Sequence, residues 1–318
     1  MKASLFLLLV ATSVGFAVES RYDPSRAPGG VEVMRTEFSH DGREVPLKIY
    51  LPDEMPAPVI LLSHGLGGSR EVGTYLVEHW AARGFAVVAM QHAGSDEAVW
   101  KDAAGSERME KMKSAANGET FMGRMCDVPA TLDQLERWNA EDGHFLKGRL
   151  DLEKVGMAGH SYGAVTTQAV CGQVFGRAGK AFSDERIDAG LALSPSPPRR
   201  GSAEQAFGEV TLPMMLMTGT RDGSPIGNTT PEERREVYPA MPAGSKYELV
   251  LDGAEHMAFS DVRRRGAGRR DPDHHRVILA LSTAFWESYL TSDAKARAWL
   301  DGDGPRGILA DADGWQRK

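Results

Sequence analysis

Short apolar runs alternate with amphipathic segments along most of the chain. Six runs have the near-continuous hydrophobic character of strands buried on both faces of a parallel sheet: "APVILLS", "FAVVAM", "KVGMAGH", "IDAGLALS", "PMMLMTG" and "KYELVLDG". Before them, "VEVMRTEFSH" and "REVPLKIYLP" flank Asp41 and Gly42, which favour a tight turn between antiparallel strands. The pattern predicts a mostly parallel central sheet that opens with an antiparallel pair.

Apolar residues between these runs recur at helical spacing. Three candidate faces are Tyr75, Leu76, His79 and Trp80; Val128, Leu132 and Leu135; and Ile278, Leu281, Phe285 and Tyr289. Helices that each bury one face must pack on the sheet. We therefore expect an α/β fold with helices on both faces of the sheet.

Composition adds limits on domain number and partners. A chain of 318 residues with 42% hydrophobic content has material for one large core, and no Pro/Gly-rich linker or internal repeat divides it. The formal net charge of −7 gives no electrostatic reason to expect nucleic acid as a partner. The basic run at residues 263–270 is typical of a solvated loop. We expect a monomer.

The N-terminus has the pattern of a secretory signal. Lys2 precedes an apolar stretch at residues 5–10, and small residues lead to a cleavage site after Ala17. We expect a single mature domain at residues 18–318, secreted or periplasmic and without an integral membrane span; an uncleaved anchor is the alternative. The two cysteines, Cys126 and Cys171, leave one disulfide open and exclude a disulfide-rich scaffold.

The stretch "GHSYG" sets Ser161 between two glycines, at the junction of a predicted strand and a predicted helix. A nucleophilic serine of the Gly-x-Ser-x-Gly type requires this context, because the sharp turn that exposes its hydroxyl leaves no room for flanking side chains. The alternative is an ordinary surface turn. His160, at the variable position of the motif, is expected to support the turn.

A serine nucleophile needs a base and an orienting acid, which usually follow it in the order acid, then histidine. Asp222 and His256 come just after the last two predicted strands. Asp252 and Glu255 are rival acids, but each would have to fold back across a tight turn to reach His256. We expect His274 and His275, at a helix start, to be surface residues.

The chain offers candidate donors for an oxyanion but no motif for a metal or a phosphate. "SHGLGGSR" follows a buried strand with a histidine and three glycines, so its backbone can approach a ligand, and the amides of Leu66 and Tyr162 are candidate oxyanion donors. The chain lacks both a metal-ligand cluster and a Gly-rich phosphate cradle; for example, "DPDHHR" places two histidines side by side, where a helix would point them apart. We expect neither a metal nor a cofactor.

Together "SHGLGGSR", "GHSYGA", "GTRDGSP" and "DGAEHMAFSD" resemble the α/β-hydrolase fold over residues 31–290. In particular, they resemble the secreted branch of this fold, which is similar to dienelactone-hydrolase-like proteins, platelet-activating-factor acetylhydrolases and cutinase-like polyester hydrolases. The resemblance implies a serine esterase in which Ser161, Asp222 and His256 form the triad, and Leu66 and Tyr162 donate to the oxyanion. Dienelactone hydrolases proper use cysteine where this chain has Ser161, which argues against a diene-lactone substrate.

The ester itself stays open, from a small molecule to a lipid or polymer. Residues 95–120 are long enough to cap the site, and His92, Trp100, Met109 and Met112 are candidate pocket residues, although exposed helical positions are the commoner alternative for Trp100 and the two methionines. Two other functions remain. A prolyl-oligopeptidase-type serine peptidase would normally carry a large extra domain, and a non-catalytic binding protein would typically have lost a triad member.

Overall fold

A computed structural model of the protein describes residues 22–224, 226–261 and 271–318. The expected signal segment at residues 1–17 and the basic run at residues 263–270 lie outside the described residues. Within the described residues, no helix is both long enough and apolar enough to cross a membrane.

One sheet of nine strands organises the described residues. The strands are β1 (Val31–His40), β2 (Arg43–Pro52), β3 (Ala57–Ser63), β4 (Ala86–Met90), β5 (Leu150–His160), β6 (Ile187–Leu193), β7 (Met214–Arg221), β8 (Lys246–Glu255) and β9 (Gly314–Arg317). Their spatial order is β1-β2-β4-β3-β5-β6-β7-β8-β9. The six strands from β4 to β8 in this order pair in parallel, whereas β1, β2 and β9 pair with their neighbours antiparallel.

The opening hairpin confirms the turn expected from sequence. Its two connecting residues, Asp41 and Gly42, both have positive φ, at 49° and 73°. This is the backbone conformation of the two-residue turn that matches the twist of antiparallel strands. Strand β9 was not predicted, because four residues with little burial carry no clear period.

Helices cover both faces of the sheet, as the pattern predicted. They are α1 (Thr74–Ala82), α2 (Arg108–Ala115), α3 (Gly118–Ala140), α4 (Tyr162–Val170), α5 (Ala203–Phe207), α6 (Pro231–Arg234), α7 (Val237–Ala240), α8 (Pro272–Leu290) and α9 (Ala294–Asp301). Short 3-10 turns occur at Glu97–Val99, Gly176–Ala178, His256–Phe259 and Pro305–Gly307.

The sheet divides the core into two hydrophobic clusters. Successive β3 residues alternate between them, with Val59 and Leu61 in one cluster and Ile60 and Leu62 in the other. Apolar residues of α3 belong to the first cluster and those of α1 and α8 to the second. This explains why the strands appear as unbroken apolar runs: both faces of each central strand are covered.

The two cysteines are not joined. Cys126 is exposed and Cys171 is buried, and both are free thiols. Burial raises the pKa of the Cys171 thiol. The disulfide left open by the sequence is therefore absent from this structure.

Candidate active site

The turn around Ser161 joins β5 directly to α4, and its two glycines are required by close backbone contacts. Ser161 has φ 59° and ψ −112°, a backbone conformation that residues other than glycine rarely adopt. A Cβ on Gly159 would lie 2.2 Å from the carbonyl oxygen of Gly163. A Cβ on Gly163 would lie 1.9 Å from the carbonyl oxygen of Ser63. Any side chain at either position would therefore collide with the backbone.

Three side chains expected from sequence lie in hydrogen-bond contact at the carboxyl ends of β5, β7 and β8. His256 Nε2 is 2.9 Å from Ser161 Oγ, and His256 Nδ1 is 2.7 Å from Asp222 Oδ1. Because an ionised carboxylate can only accept, His256 donates through Nδ1–H and its Nε2 accepts from the Ser161 hydroxyl. This tautomer is the one that a general base requires.

Asp222 is fully buried and held as a carboxylate by its neighbours. Its Oδ2 accepts a hydrogen bond from Thr218 Oγ1 at 2.9 Å, and Arg234 Nε lies 3.1 Å from Oδ1. Burial alone would raise the pKa of Asp222, but the hydrogen bond from His256 and the charge of Arg234 outweigh it and lower that pKa below its ordinary value. The group beside His256 is therefore a stable anion.

The two rival acids do not reach the histidine. Asp252 Oδ1 accepts instead from Thr220 Oγ1 at 3.1 Å, and Glu255 is exposed to solvent. Among the described residues, Asp222 is the carboxylate in contact with His256.

Sequence reasoning missed Arg234, which fixes the loop after β7. The residue is 1% exposed and donates to the backbone carbonyls of Asp222, Ser194 and Pro195 at 2.7 to 2.9 Å. It lies at the end of α6, which begins with a capping box between Thr230 and Glu233. That capping pattern is a sequence signal for the helix, but it does not indicate that Arg234 is buried.

His160 ties the serine turn to the loop of His256. Its Nε2–H donates to the His256 carbonyl oxygen at 3.0 Å, and the two ring centroids are 4.8 Å apart. Burial, assisted by the neighbouring His256, lowers the pKa of His160 to about 3, so the ring stays neutral. The side chain is placed to support the site through this contact.

The glycine-rich loop after β3 lies beside the serine. A Cβ on Gly65 would be 3.4 Å from Ser161 Cβ, and the Gly68 amide closes the loop by donating to the Gly65 carbonyl at 3.0 Å. In the described part of the chain, the N–H groups of Leu66 and Tyr162 have no protein acceptor. Both amides are therefore free to donate to a ligand.

Residues 95–120 pack over this loop from the outside. They comprise the 3-10 turn at Glu97–Val99, helix α2 and the start of α3. Half-buried Trp100 donates from Nε1 to the Gly67 carbonyl at 2.7 Å, and the Arg108 guanidinium lies 5.2 Å from the Trp100 ring centroid. Trp100 thus contacts the glycine-rich loop itself.

His92 does not line an open pocket, contrary to the expectation from sequence. Its side chain is 0% exposed. His92 Nε2 accepts from Ser63 Oγ at 2.9 Å, and Nδ1 donates to Asp127 Oδ2 at 2.9 Å. Burial, assisted by the charge of Arg124, lowers the pKa of His92 to about 4. The residue belongs to a buried polar network behind the glycine-rich loop.

That network also escaped the sequence analysis, although one signal for it exists. Arg124 precedes Val128 by four residues, so it continues the apolar face of α3 instead of the solvent face. A charged residue in line with a buried face must find partners inside the protein.

The described residues contain no group of three or more histidine, cysteine, aspartate or glutamate side chains arranged to hold a metal ion.

Comparison with known families supports the resemblance deduced from the motifs. Residues 45–120 match the family model of platelet-activating factor acetylhydrolase, isoform II. This stretch runs from β2 to the start of α3 and includes the glycine-rich loop, but not Ser161, Asp222 or His256. No curated protein matches the chain. The sheet and the matched segment together identify an α/β-hydrolase fold similar to this family of ester hydrolases.

Proposed function

We propose that this protein is a serine hydrolase of carboxylic esters, with residues 18–318 as one hydrolase domain. The observation that carries the proposal is the continuous hydrogen-bond chain from Ser161 through His256 to Asp222 at a strand-to-helix turn. The similarity of residues 45–120 to an acetylhydrolase family supports the same reaction class.

Acylation begins when Ser161 Oγ attacks the ester carbonyl carbon and His256 Nε2 takes the hydroxyl proton. The carbonyl electron pair moves onto oxygen, where the amides of Leu66 and Tyr162 stabilise the negative charge. Collapse of this intermediate breaks the bond to the alkoxy group, which leaves with the proton from His256. A water molecule, deprotonated by the same ring, then bonds to the acyl carbon. The bond from that carbon to Ser161 Oγ breaks, the carboxylic acid leaves, and the proton on His256 returns to Oγ.

Asp222 holds the histidine in the required tautomer and stabilises its cation after proton transfer. Its own charge is secured by Arg234 and Thr218, so the carboxylate does not compete for the proton. The mechanism needs no metal or cofactor.

A panel of substrates with an active-site label tests the function. We expect hydrolysis of p-nitrophenyl esters in a chain-length series, little cleavage of a peptide anilide, and fluorophosphonate labelling of Ser161 located by peptide mass spectrometry. Ser288→Ala is a matched control, because Ser288 is a buried serine in α8 that donates to its own helix; this variant should be labelled like the wild-type protein.

Other outcomes would select the alternatives. Preference for the anilide over every ester would favour a peptidase. A folded protein that neither turns over esters nor takes the label would favour a non-catalytic binding protein.

We also propose that the protein is secreted or periplasmic after cleavage following Ala17. Expressed in a host with an export pathway, the mature chain should begin near Val18, as determined by N-terminal sequencing. A membrane-bound product that starts at Met1 would instead favour the uncleaved anchor.

A further inference from the structure

Arg124, on α3, is a buried cation that the proposed reaction does not use. Its side chain is 0% exposed, and burial lowers the pKa of its guanidinium to about 9. Removing a guanidinium from water is costly unless its donors are satisfied, so the partners of Arg124 indicate what the residue holds in place.

The first partners belong to the loop that carries Leu66. Arg124 Nη1 donates to the His64 carbonyl at 2.8 Å and to Ser63 Oγ at 3.1 Å. His64 in turn donates from Nδ1 to the Gly65 carbonyl at 2.6 Å. The backbone from Ser63 to Gly65, immediately before the Leu66 amide, is therefore fixed from behind.

A second set of contacts reaches the far side of the same loop. Arg124 Nε donates to Ser95 Oγ at 2.9 Å, and the Ser95 carbonyl accepts from the Gly67 amide at 2.9 Å. Leu66 thus lies between two anchored points of the chain, Gly65 and Gly67, both of which connect back to Arg124.

The third contact reaches the other candidate oxyanion donor. The Arg124 guanidinium lies 4.3 Å from the ring centroid of Tyr162, a distance suited to a cation–π interaction. Thr120, one turn earlier on α3, lies 3.2 Å from the Tyr162 hydroxyl through its Oγ1. Helix α3 therefore holds the side chain of Tyr162, the residue directly after Ser161.

His92 and Asp127 set the direction of the Ser63 hydroxyl. Asp127 also pairs with Arg43, at 3.2 Å from Nη2, so its carboxylate accepts Nδ1–H of His92 and leaves Nε2 as an acceptor. The Ser63 proton is directed to that nitrogen, and the Ser63 oxygen presents a lone pair to Arg124.

We propose that Arg124 is a positioning residue for the oxyanion hole, which aligns the Leu66 and Tyr162 amides through the buried Ser63–His92–Asp127 chain, Ser95 and the Tyr162 ring. The proposal rests on the proposed hydrolase function. Arg124 does not touch the substrate; it fixes the two donors at the spacing that a developing oxyanion requires.

The test separates transition-state stabilisation from general stability. Arg124→Met and Arg124→Lys are compared with the wild-type protein for kcat and KM on p-nitrophenyl acetate. They are also compared for inhibition by trifluoroacetophenone, whose carbonyl adds the serine oxygen and becomes an oxyanion, and by acetophenone, which binds without forming the adduct.

Loss of alignment should lower kcat by about a hundredfold in Arg124→Met, comparable to the loss of one oxyanion donor in another serine hydrolase. KM and the inhibition constant of acetophenone should stay within about threefold of the wild-type values. The affinity for trifluoroacetophenone should instead fall in proportion to kcat/KM. The kcat of Arg124→Lys should lie between those of the wild-type protein and Arg124→Met, because an ammonium keeps the charge but cannot reach all of the partners at once.

Arg83→Met is the matched control. Arg83 is a largely buried arginine that pairs with Glu287, with its Nε 2.8 Å from Oε1, and it joins α1 to α8 away from the site. This variant should lose stability but keep kcat and ketone affinities within about twofold. An equal loss of kcat in Arg83→Met would overturn the proposal, because the effect would then follow from destabilisation.

If Arg124→Met does not fold, Ser95→Ala decides the question. This change removes one acceptor of Arg124, and we expect about a threefold to tenfold loss in kcat with a matching loss of trifluoroacetophenone affinity. Folded variants with unchanged kcat and ketone affinities would overturn the proposal while leaving the hydrolase function intact. An inactive wild-type protein would overturn both.

Discussion

Two serine–histidine–aspartate chains with closely similar hydrogen bonds occur among the described residues. In the first, His256 joins Ser161 and Asp222 at 2.9 and 2.7 Å. In the second, His92 joins Ser63 and Asp127 at 2.9 and 2.9 Å. Their distances do not separate them, so the features that suit one of them to catalysis must lie elsewhere.

The surroundings of the two serines differ. Ser161 occupies a strained turn with positive φ, is partly exposed and has free amides beside it. Ser63 lies within strand β3, is fully buried, and its oxygen already accepts from Arg124. A nucleophile needs an approaching substrate and a place for the oxyanion, and only the turn at Ser161 offers both among these two serines.

The largest expected difference comes from removing each hydroxyl. Ser161→Ala should lower turnover of a p-nitrophenyl ester on the order of a millionfold, as loss of the nucleophile does in another serine hydrolase. Ser63→Ala should cost about tenfold or less, because it loosens an oxyanion donor without removing a reacting group. Steady-state kinetics on both purified variants, with circular dichroism to verify folding, measures the contrast.

More than a few per cent of activity in Ser161→Ala would show that another residue is the nucleophile. A millionfold loss of turnover in Ser63→Ala would contradict the comparison, because Ser63 would then be as necessary to the reaction as Ser161.

The aspartates should differ next. Asp222→Asn should lower kcat at least a hundredfold, since the amide favours the wrong tautomer of His256; the same change costs roughly 10⁴ in a serine protease. Asp252→Asn and Glu255→Gln are controls that should stay within about tenfold. A crippled Asp252→Asn beside a nearly normal Asp222→Asn would mean that the acid is Asp252.

Asp127→Asn should instead act mainly on stability. It removes the charge that faces Arg43 and His92, and we expect a loss of roughly 1–3 kcal/mol in the free energy of unfolding, with kcat within about tenfold. Urea denaturation together with ester kinetics measures both quantities. A drop in kcat as large as that of Asp222→Asn, without a change in stability, would contradict this division.

The smallest effect is a dependence of stability on pH. The pKa of His92 is about 4 in the folded protein, against an ordinary value of 6.5. In the unfolded chain His92 binds a proton as the pH falls below 6.5, whereas in the folded protein it stays neutral until about pH 4. The free energy of unfolding is therefore highest above pH 6.5 and falls as the pH decreases from 6.5 toward 4. The pKa values of His64 and His160 are also lowered, so they add to the same trend.

We expect His92→Gln to flatten the pH dependence of the unfolding free energy by up to about 1.4 kcal/mol per pH unit between pH 6.5 and 5. Urea denaturation of both proteins at several pH values in this range gives the difference in slope. Parallel curves for the two proteins would mean that His92 is not held neutral by the fold.

Local patterns were enough to predict much of this molecule. Strand β3 spans the same residues as the run "APVILLS", and the faces expected for α1, α3 and α8 are buried except for Tyr75 and Tyr289, which are partly buried. The positions of Ser161, Asp222 and His256, just after three of the predicted strands, also sufficed to identify the three side chains that meet. These features follow from the spacing of apolar residues and from parallel strands that end at one edge of the sheet.

The partners of the buried charges were decided only by the tertiary structure. Arg124, Asp127 and Arg234 look in sequence like ordinary helical or loop charges, and His92 looked like a pocket residue. Their positions depend on which segments the sheet order brings together, over separations such as Ser63 to Arg124. Sequence spacing fixes which face of an element is buried, but a buried charge is stabilised by donors and acceptors from distant segments, and those meet only when the sheet has formed.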